Sequence, residues 1–253
     1  MGVPETQLNE IFSSFQGEGL YVGERQIFLR FSGCNLSCQY CDSPEALTLT
    51  PTFRCEQDAL TRKSTLGKNP IRVDELIPII SQLNKPIGLH HSISLTGGEP
   101  LLQVDFLKDF LPELRKKCEL KTYLETNGTL PDHLAEVIDY LDIIAMDMKL
   151  PGATGLSDYW KEHRKFLETA YLKEVFVKLI FTKETKIKEV DEAVSIIAAL
   201  DDKIPLVLQP ATPHGQIKHF PDAEHVFSFF NTAKRKLKHV RVIPQSHKVI
   251  NVK

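Results

Sequence analysis

Gly33-Cys34-Asn35-Leu36-Ser37-Cys38-Gln39-Tyr40-Cys41-Asp42 packs three cysteines into eight residues, directly after the apolar run Gln26 to Phe31. Three thiolates with no fourth partner nearby suit a cubane iron–sulfur cluster with one iron left open, because a closed cluster of this kind takes four cysteines. An open iron is a place for a small molecule to bind, so the pattern points to chemistry at the metal. A structural zinc site wants a fourth Cys or His at short spacing. The nearest candidates are Cys55, across a polar stretch, and His90-His91. A disulfide framework needs an oxidising compartment. The start, Met1-Gly2-Val3-Pro4-Glu5-Thr6, lacks the basic and apolar regions of a signal peptide, and no apolar run approaches membrane-spanning length. A reducing, cytoplasmic setting is therefore expected, in which clustered thiols bind metal while Cys55 and Cys118 remain inert thiols.

Outward from the cysteines, strand and helix patterns alternate. Gln26 to Phe31, Ser92 to Thr96, Lys121 to Glu125, Asp142 to Met146, Val175 to Phe181, Pro205 to Gln209 and Val240 to Ile243 read as strands. Apolar stripes at helical spacing lie between them: Leu134, Val137, Ile138 and Leu141; Val190, Ala193, Val194 and Ile197; Val226, Phe229, Phe230, Ala233 and Leu237. Such alternation predicts an α/β fold with a parallel sheet and right-handed crossovers. Seven strands and six helices make a partial (β/α)6-type barrel, short of the eight repeats of a closed one. The length suits one domain over residues 1–253. Pro78 and Pro112 fall inside helical patterns and leave the bounds of those helices open. The least regular stretch, 44–70, reads as an insertion after the cysteine loop, a candidate lid or cover.

Thirty-one basic against thirty-three acidic residues give a formal charge of −2, which provides no global field to recruit nucleic acid. The basic run Lys234-Arg235-Lys236-Leu237-Lys238-His239 follows an apolar stripe and reads as a solvated helix end.

Polar motifs gather at the C-terminal ends of the strands: Thr96-Gly97-Gly98-Glu99-Pro100, Glu125-Thr126-Asn127-Gly128-Thr129, Asp147-Met148-Lys149, Gln209-Pro210-Ala211-Thr212 and Gln245-Ser246-His247-Lys248. Barrel folds build their sites at that face, from the strand-to-helix loops. An Asn-Gly pair or a glycine pair alone marks only a turn. Five such motifs on one edge, beside the cysteine loop, mark a site.

The Cys-x3-Cys-x2-Cys loop with Tyr40 before its third Cys, and Gly97-Gly98-Glu99-Pro100 after the next strand, resemble the radical S-adenosylmethionine superfamily. The resemblance implies a [4Fe–4S] cluster on Cys34, Cys38 and Cys41 whose fourth iron is chelated by S-adenosylmethionine. A narrower resemblance runs almost end to end. Phe15-Gln16-Gly17-Glu18-Gly19, Arg30, Cys41-Asp42-Ser43, the Glu125 to Thr129 motif and Gln245 to Lys248 are similar to the 7-carboxy-7-deazaguanine synthase family. That likeness implies conversion of 6-carboxy-tetrahydropterin to a deazapurine with loss of ammonia, on the route to queuosine and related bases.

Carried over residue by residue, it implies substrate binding by Phe15, Gln16, Gly17, Arg30, Thr96 and His247, and by the terminal carboxylate of Lys253. Cofactor would be lined by Tyr40, Gly98, Asp147, Met148, Lys149, Gln209, Pro210, Ala211 and Thr212, with Mg2+ at Ser43 and the substrate oxygens. A flavodoxin or ferredoxin as electron donor and a homodimer are also implied. Arg30 suits a carboxylate because its planar fork binds one bidentately. An Arg inside an apolar run must in any case meet an anion, and a local acid such as Glu18 is the alternative partner. Two departures stand out: Ser43 replaces the family's usual Thr, and Asp147 stands where relatives can carry Ser. Lys178, a lone charge among Val177, Leu179 and Ile180, has no role assigned. Two other functions fit the cysteines. A glycyl-radical-enzyme activase acts on a polypeptide and has less use for Arg30 and the Gln-Gly-Glu-Gly turn. A non-catalytic iron–sulfur electron-transfer protein leaves the strand-end motifs unexplained.

Overall fold

The computed structural model describes residues 4–252. In chain order its elements are β1 (Glu5–Thr6), β2 (Leu8–Phe15), β3 (Arg25–Phe31), β4 (Thr52–Glu56), β5 (Ser64–Lys68), β6 (Ile71–Arg72), α1 (Val73–Leu83), β7 (Ser92–Gly97), α2 (Val104–Lys117), β8 (Lys121–Thr126) and α3 (Pro131–Val137). There follow β9 (Ile143–Asp147), α4 (Pro151–Thr154), α5 (Trp160–Ala170), β10 (Glu174–Phe181), α6 (Ile187–Leu200), β11 (Leu206–Pro210), α7 (Ala223–Lys234), β12 (Val240–Val242) and α8 (Ser246–Val249). The main sheet runs β12-β11-β10-β9-β8-β7-β3-β2-β4-β5. From β3 to β12 every neighbouring pair is parallel, as the strand–helix alternation predicts. This is the expected α/β partial barrel, with all seven expected strands in place. No helix among the described residues is long and apolar enough to cross a membrane.

Two features depart from the sequence expectation. An eighth inner strand, β2, pairs antiparallel with β3. It is buried along nearly its whole length, so it lacks the alternation that would have announced it. The 44–70 segment is no irregular cover. After a 3-10 turn, Pro44–Leu47, it forms the β4–β5 hairpin, which extends the sheet at its edge beyond β2. Phe53 anchors the hairpin at 2 % exposure and packs against Gly67, while Leu66 faces solvent.

Pro78 and Pro112 do not end their helices; α1 and α2 run through them. A proline inside a helix costs ~3 kcal/mol or more. Against that, α1 buries Leu76, Ile80 and Leu83 completely, worth about 1.5–3 kcal/mol each. The stripe of α7 buries Phe229 and Ala233, and its N-terminus is capped by Asp222, whose carboxylate accepts from the His225 N–H at 2.9 Å. Beyond α7 the basic run meets acids of neighbouring elements: Lys236 pairs with Asp191 and Lys238 with Asp202.

Strand alternation sorts the core into two sides. Val175, Val177, Leu179 and Phe181 of β10 join the main core together with the helix stripes. The opposite side of the strands faces the barrel interior. There Tyr123, Ile143, Phe176 and Val207 form an apolar plug at the base. Above the plug the interior turns polar, with Ser94, Glu125, Lys178 and Gln209 on successive inward positions of β7, β8, β10 and β11.

Candidate active site

One cavity opens at the C-terminal ends of the parallel strands, and the polar layer is its floor. Cys34, Cys38 and Cys41 line one wall, none of them in a disulfide. Burial raises the pKa of Cys34 and of Cys38. A glycine-bounded contact sets the cysteine loop: the Glu99 N–H donates to the Gly33 carbonyl at 2.8 Å. A Cβ on Gly98 would lie 1.8 Å from that same oxygen. Gly33 and Gly97 have φ of +92° and +117°, a region glycine enters without strain. The Asn127 amide donates to Asn35 Oδ1, and Asn35 donates to Thr129 Oγ1, each at 2.8 Å. These bonds tie the cysteine loop to the turn after β8. Glu99, fully buried, accepts from the Asn127 and Leu101 N–H groups and from Thr126. It joins the same two turns; burial raises its pKa, and these donors offset part of the rise.

On the cofactor side Lys149 donates to Asp147 at 2.7 Å and to the Tyr40 hydroxyl at 3.1 Å, lying over the Tyr40 ring. Burial lowers the Lys149 pKa, but the Asp147 carboxylate outweighs it and the ammonium persists. Asp147 Oδ1 and both polar atoms of the Gln209 amide are buried without a protein partner. Buried polar groups need one, and these face the cavity.

On the substrate side Arg30 Nε donates to Glu10 at 3.0 Å and Nη1 donates to Ser43 Oγ at 3.1 Å. Its acid is Glu10, not Glu18, which pairs instead with Lys178 at 2.5 Å. Glu125 accepts from Gln16 at 2.8 Å and from Ser94 and Thr96 at 3.1 Å. A Cβ on Gly17 would collide with His247 Nδ1, so only glycine admits that imidazole here.

Phe15, Gln16, Gly17, Arg30, Tyr40, Ser43, Thr96, Gly98, Asp147, Lys149, Gln209, Ala211, Thr212 and His247 line this cavity together with the three cysteines. Met148 does not: its side chain is fully buried in the main core, and its N–H is taken by the Lys178 carbonyl. Pro210 ends β11, paired with Phe181, and lies outside the lining. Lys253 lies outside the described residues. Cys55 and Cys118 are buried and lie outside the cavity lining.

Asp42, Glu125, Lys178 and Gln245 also line the cavity and have no role assigned from sequence; Glu18, expected only as an alternative partner of Arg30, lines it too. Lys178 carried a visible signal, a charge at an inward position of an apolar strand.

The signature of the Radical SAM superfamily matches residues 29–202. A Geobacter sulfurreducens 7-carboxy-7-deazaguanine synthase is 42% identical over 98% of both chains. A Thermococcus kodakarensis 7-carboxy-7-deazaguanine synthase is 35% identical over 96% of this chain and 97% of its own. This chain belongs to the 7-carboxy-7-deazaguanine synthase family of the radical SAM superfamily. The fold agrees: the crystal structure of QueE from Escherichia coli superposes with a TM-score of 0.59 over 96% of this chain and 95% of its own, at 19% identity. Streptococcus suis SuiB bound to S-adenosylmethionine gives 0.53 over 85% of this chain and 51% of its own. A family member is a radical SAM enzyme that uses a [4Fe–4S] cluster and S-adenosylmethionine.

Proposed function

We propose that this chain converts 6-carboxy-5,6,7,8-tetrahydropterin to 7-carboxy-7-deazaguanine with loss of ammonia, within one domain spanning 1–253. The full-length likeness to the Geobacter enzyme carries the reading. The cavity has the donor set that the chemistry requires. Cys34, Cys38 and Cys41 would hold the cluster, and soft thiolates are its usual ligands. The unpartnered Gln209 and Asp147 atoms, with Tyr40, Lys149 and the close turn at Gly98, would receive the cofactor. When bound, cluster and S-adenosylmethionine would supply the radical chemistry that takes hydrogen from the substrate.

The chain's own residues bind and orient the pterin. Arg30 meets its carboxylate, and Glu125 faces its amino edge across the polar floor, so the two ends of the cavity select opposite ends of one molecule. The apolar plug beneath closes the barrel to water from below. Mg2+ would join at Ser43, whose hydroxyl stands beside Asp42 at 3.4 Å and offers the hard oxygen such a cation takes. The Arg30 guanidinium on the same hydroxyl opposes a cation there until the substrate carboxylate arrives to offset it. Reduction calls for a one-electron donor of the flavodoxin or ferredoxin class, and a homodimer is the proposed assembly. Incubating the reduced, reconstituted protein with S-adenosylmethionine and the carboxypterin tests the reading. Ammonia release and the altered ultraviolet absorption of a deazapurine are expected; cofactor cleavage without either would refute it.

A further inference from the structure

Lys178 is a deeply buried cation in the floor of the cavity. It stands on β10 above the Phe176 plug, and its side chain is 6 % exposed. Its ammonium donates to Glu18 Oε2 at 2.5 Å. The other Glu18 oxygen accepts from Gln245 Nε2 at 2.7 Å, and the same nitrogen donates to Asp42 Oδ2 at 2.8 Å. Lys248 completes the chain, donating to Gln245 Oε1 at 2.8 Å and pairing with Asp42 at 3.2 Å. Glu18, Asp42 and His247 thus gather within 4.8 Å, and the two lysines and the Gln245 amide meet the carboxylates' charge.

The segment so fastened has no apolar anchor of its own. Val249 is 79 % exposed and Ile250 58 %. Its remaining ties are polar, with the Ser246 N–H and hydroxyl both donating to the Gly17 carbonyl at 2.9 and 3.2 Å. Yet Gln245 and His247 form part of the cavity wall. The outer side of that wall faces a shallow cleft lined by Phe15, Val22 and Ile250. A wall held mainly by hydrogen bonds and an ion pair depends on the position of its deepest member. Burial raises the Glu18 pKa, but Lys178, with the Gln245 bond, more than reverses this and holds it at about 2.

We propose that Lys178 is a positioning residue which, through Glu18 and Gln245, latches the 245–250 segment as the movable wall of the substrate cavity. Removing the ammonium leaves a largely buried carboxylate without its counter-charge, and such a group protonates or withdraws. Either outcome costs Gln245 its charged acceptor and loosens the wall. The proposal rests on the pterin reading only for what the wall encloses.

Hydrogen–deuterium exchange on the cluster-loaded full chain tests the latch without substrate. In Lys178→Met the hydrogen-bonded amides of Ser246, Ile250 and Val252 are expected to exchange at least tenfold faster, while those of β7 to β9 keep their rates. In turnover the KM for the carboxypterin is expected to rise about tenfold, with a smaller change in kcat. Lys178→Arg should return both toward the unaltered protein, because it restores a cation opposite Glu18. Unchanged exchange at 245–252, or acceleration spread evenly through the sheet, would overturn the proposal. Should Lys178→Met fail to fold, Lys178→Met/Glu18→Gln removes both buried charges and still cuts the latch at its root. Unaltered protection of the terminal segment in that double variant refutes it equally. Failure of the unaltered chain to turn over the carboxypterin, with the exchange results as expected, would refute the substrate reading and leave the latch standing.

Discussion

Gly98→Ala is the smallest change that tests how the two halves of the active site are held together. A methyl group at Gly98 would lie 1.8 Å from the Gly33 carbonyl oxygen and 3.2 Å from the Cys34 nitrogen. Ordinary contact between such atoms begins near ~3.4 Å, so the cysteine loop and the glycine turn must part by roughly 1.5 Å. Neither side yields cheaply. The Gly98 N–H donates to the Phe31 carbonyl at 3.0 Å, and the Glu99 N–H donates to Gly33 at 2.8 Å. Glu99 itself is pinned by three further donors. Losing the two backbone bonds in a buried setting costs about 2–4 kcal/mol, within the range of a severe single substitution. The effect should concentrate at the site, because the outward sides of β3 and β7 pack elsewhere. The expected outcome is a protein that folds with a lowered Tm. After anaerobic reconstitution it should bind less than half the iron and sulfide of the unaltered chain, and its S-adenosylmethionine affinity should fall at least tenfold. Full cluster content with unaltered cofactor affinity would show that the turn has slack the geometry denies.

Replacing Cys34, Cys38 or Cys41 by Ala should abolish the stable cluster, whereas Cys55→Ala and Cys118→Ala should leave iron content unchanged; cluster loss in either of the last two would mean the ligand set is wrong. Arg30→Lys should lower kcat/KM for the carboxypterin by about a hundredfold while uncoupled cofactor cleavage survives, since a point charge cannot reproduce the fork; an equal fall in both would make Arg30 a support of the fold through Glu10. Ser43→Ala should reduce the stimulation of turnover by added Mg2+, and an unaltered response would remove Ser43 from the metal. His90 is held to about 4 first by burial and then by Arg25, so the folded state resists protonation that the unfolded chain accepts near 6.5. Its contribution is therefore complete above pH 6.5 and is lost as pH falls toward 4, by about 3 kcal/mol; urea unfolding of the cluster-free chain should show a slope of this sign, and His90→Gln should reduce it, leaving the share of His163, which burial also holds to about 4.

The parts of the fold legible in the sequence are those with one periodic face. Six of the seven parallel strands are short apolar runs ended by a polar motif, and three of the intervening helices carry a plain stripe, so the alternation and the parallel direction of the strands could be read. The N-terminal strand and the hairpin were hidden for opposite reasons. Leu8–Phe15 is buried on both faces, Ser13 and Ser14 included, so its pattern neither alternates nor reads as a purely apolar run. The hairpin is the reverse case. Exposed Thr52, Arg54, Ser64, Thr65, Leu66 and Lys68 surround the buried Phe53 and Cys55, and so short an alternation within a polar stretch sets no clear period.

The cavity shows a different limit. Polar residues that end a strand announce themselves by breaking an apolar run, which is how Thr96, Asp147, Gln209 and the cysteine loop were found. Polar residues one step deeper show as lone charges in an apolar run, but nothing local says what they meet. Lys178 between Val177 and Leu179 is the clearest instance, and its meaning depends on Glu18, 160 residues away in sequence. A buried lysine is costly unless paired, so the sequence already required an acid somewhere in the barrel. Only the packing of β10 against the turn at 16–19 could name it. The same holds for Arg30: an anion partner was required by its setting, and both acids that could serve stand close in sequence. Strand register decides between them, because Glu10 lies directly opposite Arg30 on β2, while Glu18 lies past the end of that strand and is drawn to the deeper cation.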